Sequence, residues 1–131
     1  MIVLDSSAAI EFVLNAPFRA DLGARLEAGE SLHAPELISI EVLHVLRRKL
    51  WWSEMTAGRC EEALEDFRAM VIKRYAHDEL LHRIWQLRHN FSAYDAAYVA
   101  LAELLDAPLV TFDSRLSRSS GHRATIELLA R

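Results

Sequence analysis

Two acidic residues come directly after two short apolar runs of this sequence. Asp5 follows residues 2–4, and Asp113 follows residues 109–112. Uniformly apolar runs of this length are typical of buried strands in a parallel sheet, and ligands bind beyond the carboxyl ends of such strands. Two carboxylates at one sheet edge repel each other unless a cation or a shared proton lies between them. The pair, with the hydroxyls of Ser7 and Thr111 close by in sequence, therefore favours a Mg²⁺ or Mn²⁺ site. The alternative is that each Asp only ends its strand and begins a turn or helix.

Asp95 lies at the start of a predicted helix. The segment from Ser92 to Asp95 matches a capping box, which would be a purely structural role. The residues three, four and seven positions further on, Tyr98, Val99 and Ala102, offer no basic partner. The pattern also predicts a carboxylate facing the protein body or a cleft, near a helix N-terminus that favours its charge.

Glu41 lies in another predicted helix, at the edge of its apolar face. It borders Ile38 and Val45 on one side and His44 and Arg48 on the other. Helical periodicity alone predicts a solvated surface glutamate at this position.

The elements that must position these acids alternate between strands and helices. Strands are predicted at residues 2–4, 32–34, 71–75, 109–112 and 125–129, and helices at 8–14, 17–28, 35–50, 57–70, 78–89 and 93–106. Ser6 or Ser7 is predicted to cap the first helix, and Pro35 to open the third. The alternation predicts a three-layer α/β/α fold around a central, mainly parallel sheet of four to five short strands.

Length and composition restrict the class of protein further. The 131 residues suit a single domain spanning 1–131, and no apolar run approaches the roughly 20 residues of a membrane span. The N-terminus lacks the features of a signal peptide, and the single cysteine, Cys60, suits a reducing cytoplasm. The net charge of −4 is unlike that of most nucleic-acid binders. A carboxylate site around metal ions is nevertheless acidic by construction.

The order of these motifs resembles the PIN-domain ribonuclease family, most closely the VapC-type toxins of type II toxin–antitoxin systems. The matching segments are MIVLDSSA at the N-terminus, the helix around Glu41, AYDAAYVALAE from Ala93, and APLVTFDSRL from Ala107. The resemblance covers essentially the whole chain. It implies that four acids bind one or two divalent ions, with Ser7 supporting their geometry and Thr111 orienting the last of them. These acids are Asp5, Glu41, Asp95 and Asp113. Ser114 and Arg115 stand where some relatives carry a further acid, so a second ion would be weakly held or arrive with substrate.

The resemblance implies an endoribonuclease that cleaves RNA phosphodiesters with metal-activated water and leaves a 5′-phosphate. It also implies a VapB-type antitoxin as inhibitor, a homodimer, and a larger assembly with that antitoxin. A PIN-fold nuclease of housekeeping RNA processing and a PIN-like binding module without activity are the alternatives. Phosphatases of the haloacid-dehalogenase type also place an Asp after their first strand, but they need a second Asp where this chain has Ser7.

Two further groups suggest surfaces that contact other molecules. Arg115, Arg118 and Arg123 follow the last acid, where they could hold RNA phosphates or simply form a solvated basic loop. Trp51 and Trp52 lie at the end of the helix predicted over residues 35–50 and must point in different directions. At least one is therefore expected to be exposed on a partner surface. Packing of both rings against the following helix is the structural alternative.

Overall fold

A five-stranded, wholly parallel sheet forms the centre of the molecule. The computed structural model describes residues 1–130. The strands are β1 (Ile2–Leu4), β2 (Leu32–Pro35), β3 (Ile72–Tyr75), β4 (Leu109–Thr111) and β5 (Ile126–Leu128). Their order across the sheet is β3-β2-β1-β4-β5, and each neighbouring pair is parallel.

Seven α-helices and one short 3-10 helix surround this sheet within residues 1–130. They are α1 (Ser6–Leu14), α2 (Ala16–Glu27), α3 (Ile38–Trp51), α4 (Ala57–Ala69), a 3-10 helix (Asp78–Leu80), α5 (Leu81–Gln86), α6 (Ala93–Leu105) and α7 (Ser114–Arg118). Helix α1 contacts α2, α3 and α4, whereas α5 contacts α6. These two groups of helices cover the sheet and give the predicted three-layer arrangement. None of the helices described is long and apolar enough to span a membrane.

The two apolar runs identified in the sequence are neighbouring inner strands. The register places Leu4 of β1 beside Val110 of β4, and all three residues of β1 are fully buried. Because both strands run in the same direction, the residues that follow them emerge at the same sheet edge. The predicted fold and the predicted central position of these strands are confirmed.

Three local predictions were wrong. Asp5, and not Ser6 or Ser7, caps α1, since its side chain accepts a hydrogen bond from the backbone N–H of Ala8. Pro35 ends β2 beside Tyr75 of β3 instead of opening a helix, and α3 begins only at Ile38.

The third wrong prediction concerns residues 78–89, which do not form one continuous helix. The 3-10 helix Asp78–Leu80 precedes α5, and turns follow after Gln86. Residues 17–28, by contrast, are helical nearly as predicted, with Asn15 as the cap of α2.

Candidate active site

A cavity of about 960 Å³ opens beyond the carboxyl ends of β1 and β4. All four acids singled out in the sequence line it, together with Ser7. They come from four different places in the fold: the end of β1, the first turn of α3, the first turn of α6, and the segment between β4 and α7. These acids are Asp5, Glu41, Asp95 and Asp113.

Asp5 is buried and held from three sides. Its Oδ1 accepts hydrogen bonds from the Ala8 N–H at 2.9 Å and from Ser7 Oγ at 2.6 Å. Its Oδ2 accepts a hydrogen bond from Thr111 Oγ1. Burial raises the pKa of Asp5, these hydrogen bonds oppose that rise, and the charge of Asp113 adds to it. A buried carboxylate is therefore kept in one orientation at the cavity wall.

Ser7 and Thr111 connect the ends of the two inner strands. Ser7 Oγ accepts a hydrogen bond from the Phe112 N–H at 3.0 Å, and Thr111 Oγ1 accepts one from the Asp113 N–H at 2.9 Å. The two hydroxyl oxygens lie 3.3 Å apart. Both hydroxyls also donate to Asp5, so Thr111 contacts the side chain of one acid and the backbone of another.

Asp113 caps the short helix α7 and forms an ion pair with Arg115. Its Oδ2 accepts from Arg115 Nη2 at 2.7 Å, and its Oδ1 accepts from Arg115 Nε at 3.2 Å. The Arg115 backbone N–H also donates to Oδ1, at 2.9 Å. The hydrogen bonds from the Arg115 guanidinium hold the pKa of Asp113 below its usual value. Arg115 therefore serves as the nearest counter-charge in this part of the cavity.

Asp95 lies in the first turn of α6, where its backbone N–H donates to the capping hydroxyl of Ser92 at 3.1 Å. The predicted capping role of Ser92 is thus confirmed, while the Asp95 carboxylate faces the cavity. Partial burial raises the pKa of Asp95, Arg115 lowers it, and the charge of Asp113 raises it further.

Glu41 is partly buried in the same cavity. Its Oε1 accepts a hydrogen bond of 2.5 Å from the Tyr98 hydroxyl. Burial raises the pKa of Glu41, and the charges of Asp95 and Asp5 add to that rise. The solvated position that helical periodicity predicted for Glu41 is wrong.

Tyr98 was missed as a site residue by the sequence. Its position three residues after Asp95 places both side chains on one side of α6, which could have indicated a contact with the site.

These residues offer the kind of oxygen donors that Mg²⁺ and Mn²⁺ prefer. The carboxylates are near enough to raise one another's pKa, which is the electrostatic condition that a cation relieves. Among residues 1–130, no three His, Cys, Asp or Glu side chains are already gathered as a complete metal cluster. The donor chemistry nevertheless fits a divalent ion.

The remaining predicted contact residues lie in different surroundings. Arg118 is exposed at the end of α7. Arg123 is placed beside Glu103, whose Oε2 accepts from the Arg123 N–H at 2.7 Å, so it lies apart from the acidic cavity. Both tryptophans are exposed, but only Trp52 is among the residues that line this cavity, and Trp51 lies outside it.

The family model for the PIN domain matches residues 2–121. The chain therefore belongs to the PIN domain family.

Within this family, the chain is similar to curated ribonucleases of the VapC type. Ribonuclease VapC9 of Mycobacterium tuberculosis is 42% identical over 132 aligned positions, which cover 100% of both chains. Ribonuclease VapC12 of the same organism is 39% identical over 130 positions, covering 99% of this chain and 100% of the relative.

Solved structures share the fold at lower sequence identity. VapBC2 from Rickettsia felis, solved with a DNA fragment from its promoter, superposes with a TM-score of 0.72 at 14% identity and covers 99% of this chain and 100% of its own. VapC20 of Mycobacterium tuberculosis, described as a sarcin-ricin loop cleaving toxin, gives a TM-score of 0.62 at 19% identity, covering 89% of this chain and 93% of its own.

Proposed function

We propose that this chain is a divalent-metal-dependent endoribonuclease that acts as the toxin of a toxin–antitoxin pair. The observation that carries the proposal is the convergence of four carboxylates on one cavity at the carboxyl edge of a parallel sheet. Further support comes from the full-length similarity to curated VapC ribonucleases.

Asp5, Glu41, Asp95 and Asp113 are the residues that would hold Mg²⁺ or Mn²⁺. A bound ion would activate a water molecule and offset the charge that develops on the phosphodiester oxygens. No histidine or other side-chain base is required by such chemistry.

Other residues in or beside the cavity orient these acids or add positive charge. Ser7 and Thr111 fix the Asp5 carboxylate, and Tyr98 fixes Glu41. Arg115 places its exposed guanidinium at the cavity, where it could turn from Asp113 to an RNA phosphate because phosphate is a strong partner for arginine. Arg118 adds a second exposed cation on the same short helix.

The proposed partners are an RNA substrate and a VapB-type antitoxin that blocks the cavity, with the cytoplasm as the place of action. The similarity to a VapBC assembly supports the antitoxin. In this proposal the chain forms a homodimer, and the homodimer joins a larger complex with the antitoxin. Trp51, exposed and outside the cavity, is a candidate contact with the antitoxin.

Cleavage by matched variants tests the enzymatic part of the proposal. Wild type, Asp5→Asn and Asp106→Asn are incubated with labelled single-stranded RNA and Mg²⁺, Mn²⁺ or a chelator. Asp106 is an exposed residue with a left-handed backbone (φ of 49°) at the end of α6, a conformation that Asn also adopts. We expect wild type and Asp106→Asn to cleave only with metal, and Asp5→Asn to be inactive. Cleavage in chelator, or by Asp5→Asn at the wild-type rate, would refute the mechanism.

Co-expression tests the toxin role. Expression of the chain alone should arrest growth, and the product of the neighbouring reading frame should relieve the arrest. Growth unaffected by an RNase-active chain would instead favour housekeeping RNA processing.

A further inference from the structure

The acidic cavity continues along α3 to a group of residues that metal chemistry does not need. Arg48, Lys49 and Trp52 line it at the C-terminal end of this helix. The same cavity therefore contains the carboxylates at one place and a tryptophan ring with basic side chains at another. A chain of nucleotides bound at the carboxylates could extend over these residues.

Trp52 and Arg48 form a preassembled pair. The Arg48 guanidinium carbon lies 5.7 Å from the centroid of the Trp52 ring, within cation–π range. The Trp52 residue keeps 64% of its surface exposed, so the ring is not used to fill the core. Lys49, the next residue, pairs with Glu54 at 3.5 Å, whereas Arg48 is exposed and its guanidinium lies beside the Trp52 ring. The positive charge of Arg48 thus lies at the cavity, next to an exposed aromatic surface.

A second exposed ring lies near the acids. Tyr94 precedes Asp95 in the first turn of α6, lines the cavity and is 66% exposed. The cavity consequently presents aromatic surface from two helices, α3 and α6, on which flat groups can stack.

We propose that the Trp52–Arg48 pair is a nucleobase-stacking subsite for single-stranded RNA, with Arg48 attracting the adjacent phosphate. This inference rests on the proposed function and names the substrate form it would take. Exposed aromatic rings beside cations bind unpaired bases by stacking, with little sequence preference. Charge complementarity supports this occupant, because a polyanion needs local cations on a chain whose net charge is −4. A protein segment on the same surface is the competing occupant.

Arg47 and Trp51, the residues immediately before Arg48 and Trp52, provide a matched control. Arg47 lies 5.5 Å from the Trp51 ring centroid, and Trp51 is 75% exposed. The two pairs thus share chemistry, exposure and helix, but Arg47 and Trp51 do not line the cavity. Both rings are exposed, so substitution of either one leaves the core unchanged. The hydrogen bonds that end α3 run from the backbone N–H of Trp52 to backbone carbonyls and do not involve its ring.

Binding is measured in the Asp5→Asn background, so that RNA is not consumed. Fluorescence anisotropy follows a labelled single-stranded oligoribonucleotide and a version with abasic positions. We expect Trp52→Ala to weaken binding of the normal oligonucleotide about 5- to 150-fold, the range found for single stacked bases. Trp52→Phe should retain most of the affinity, and Trp51→Ala should stay within about twofold of the background. Abasic RNA should bind both the background protein and Trp52→Ala weakly and to the same extent.

Kinetics of the otherwise wild-type enzyme separate this inference from the proposed function. Trp52→Ala should raise KM with little change in kcat, because stacking away from the reacting bond is uniform binding. An enzyme that cleaves RNA equally well with Trp52→Ala and Trp51→Ala would overturn the subsite and leave the ribonuclease intact. Unchanged RNA affinity together with weakened antitoxin binding would also overturn it and assign the ring to a protein contact. A wild-type chain without RNase activity would refute the proposed function itself, and the subsite with it.

Discussion

The hydroxyl of Tyr98 donates a 2.5 Å hydrogen bond to Oε1 of Glu41, which joins α6 to α3 at the candidate active site. Tyr98 is only 1% exposed, and burial raises the pKa of both its phenol and the Glu41 carboxyl. The two helices are distant in sequence. The position of the Glu41 side chain therefore depends on how α6, which carries Tyr98, packs beside α3.

Tyr98→Phe should lower the rate of RNA cleavage about tenfold. A hydrogen bond to a charged group contributes about 1.5–3 kcal/mol, and water would replace part of it. Tyr75→Phe is the control, since the Tyr75 hydroxyl bonds to His33 Nδ1 at 2.7 Å, elsewhere in the sheet. Comparable rates for Tyr98→Phe and wild type would show that Glu41 needs no such support.

Arg115→Ala should strengthen Mn²⁺ binding to the RNA-free protein about two- to fivefold. In the proposed site the guanidinium would compete with a metal ion for Asp113, and the expected gain is small because the ion pair is exposed to solvent. Calorimetric titration measures the effect. Arg118→Ala removes the same charge from the same helix without breaking a direct ion pair to Asp113 among those described. If Arg115→Ala and Arg118→Ala bind Mn²⁺ with the same affinity, the net positive charge of α7 governs that affinity, and the direct ion pair between Arg115 and Asp113 does not.

Glu103→Gln should reduce the free energy of unfolding by about 2 kcal/mol at pH 7, the range for hydrogen bonds to charged groups. The Glu103 side chain is 3% exposed and accepts from Arg83 Nε at 2.6 Å and Nη2 at 2.9 Å. These bonds lower the pKa of Glu103. Their contribution is therefore present above the unfolded-state pKa, about 4.3, and is lost as the pH falls through the lower native pKa.

Urea unfolding at pH 7 and near pH 3 tests this linkage. The difference between wild type and Glu103→Gln should shrink at the lower pH. The control is Glu65→Gln, because Glu65 pairs with Arg68 on the exposed surface of α4 and such pairs contribute little. An equal difference at both pH values would mean that the Glu103 charge is not what stabilises the contact.

Asp5→Asn should leave the metal-free protein as stable as wild type or stabilise it by about 1 kcal/mol. The amide keeps an oxygen that can accept from the Ala8 N–H, while the substitution removes a buried charge near Asp113. Active-site residues commonly cost stability in this way. Thermal unfolding beside Asp106→Asn measures the change, and a marked loss of stability would instead make Asp5 a mainly structural cap.

Much of the fold followed from simple patterns in the sequence. The uniformly apolar residues of β1 and β4 predicted neighbouring inner strands, and from them the meeting of Asp5 and Asp113 at one edge. The position of Glu41 could not be obtained in this way, because a helical wheel describes one helix and the buried surroundings of Glu41 come from α6. The cap of α1 was also predicted wrongly, because the sequence does not show that one carboxylate can fill two roles. Asp5 accepts a hydrogen bond from the Ala8 N–H of the helix and also from the hydroxyls of Ser7 and Thr111.

The hydrogen bonds of Asp5 also determine how many bonds it can still make. An ionised carboxylate has about four acceptor positions, and Ala8, Ser7 and Thr111 occupy three of them. One position, on Oδ2, is left, so Asp5 can offer an ion a single oxygen and cannot chelate it with both. Bidentate carboxylates suit the large, irregular coordination shell of Ca²⁺, whereas Mg²⁺ takes one oxygen from each ligand in an octahedron. In the proposed metal site, the residue that caps α1 would therefore favour Mg²⁺ over Ca²⁺.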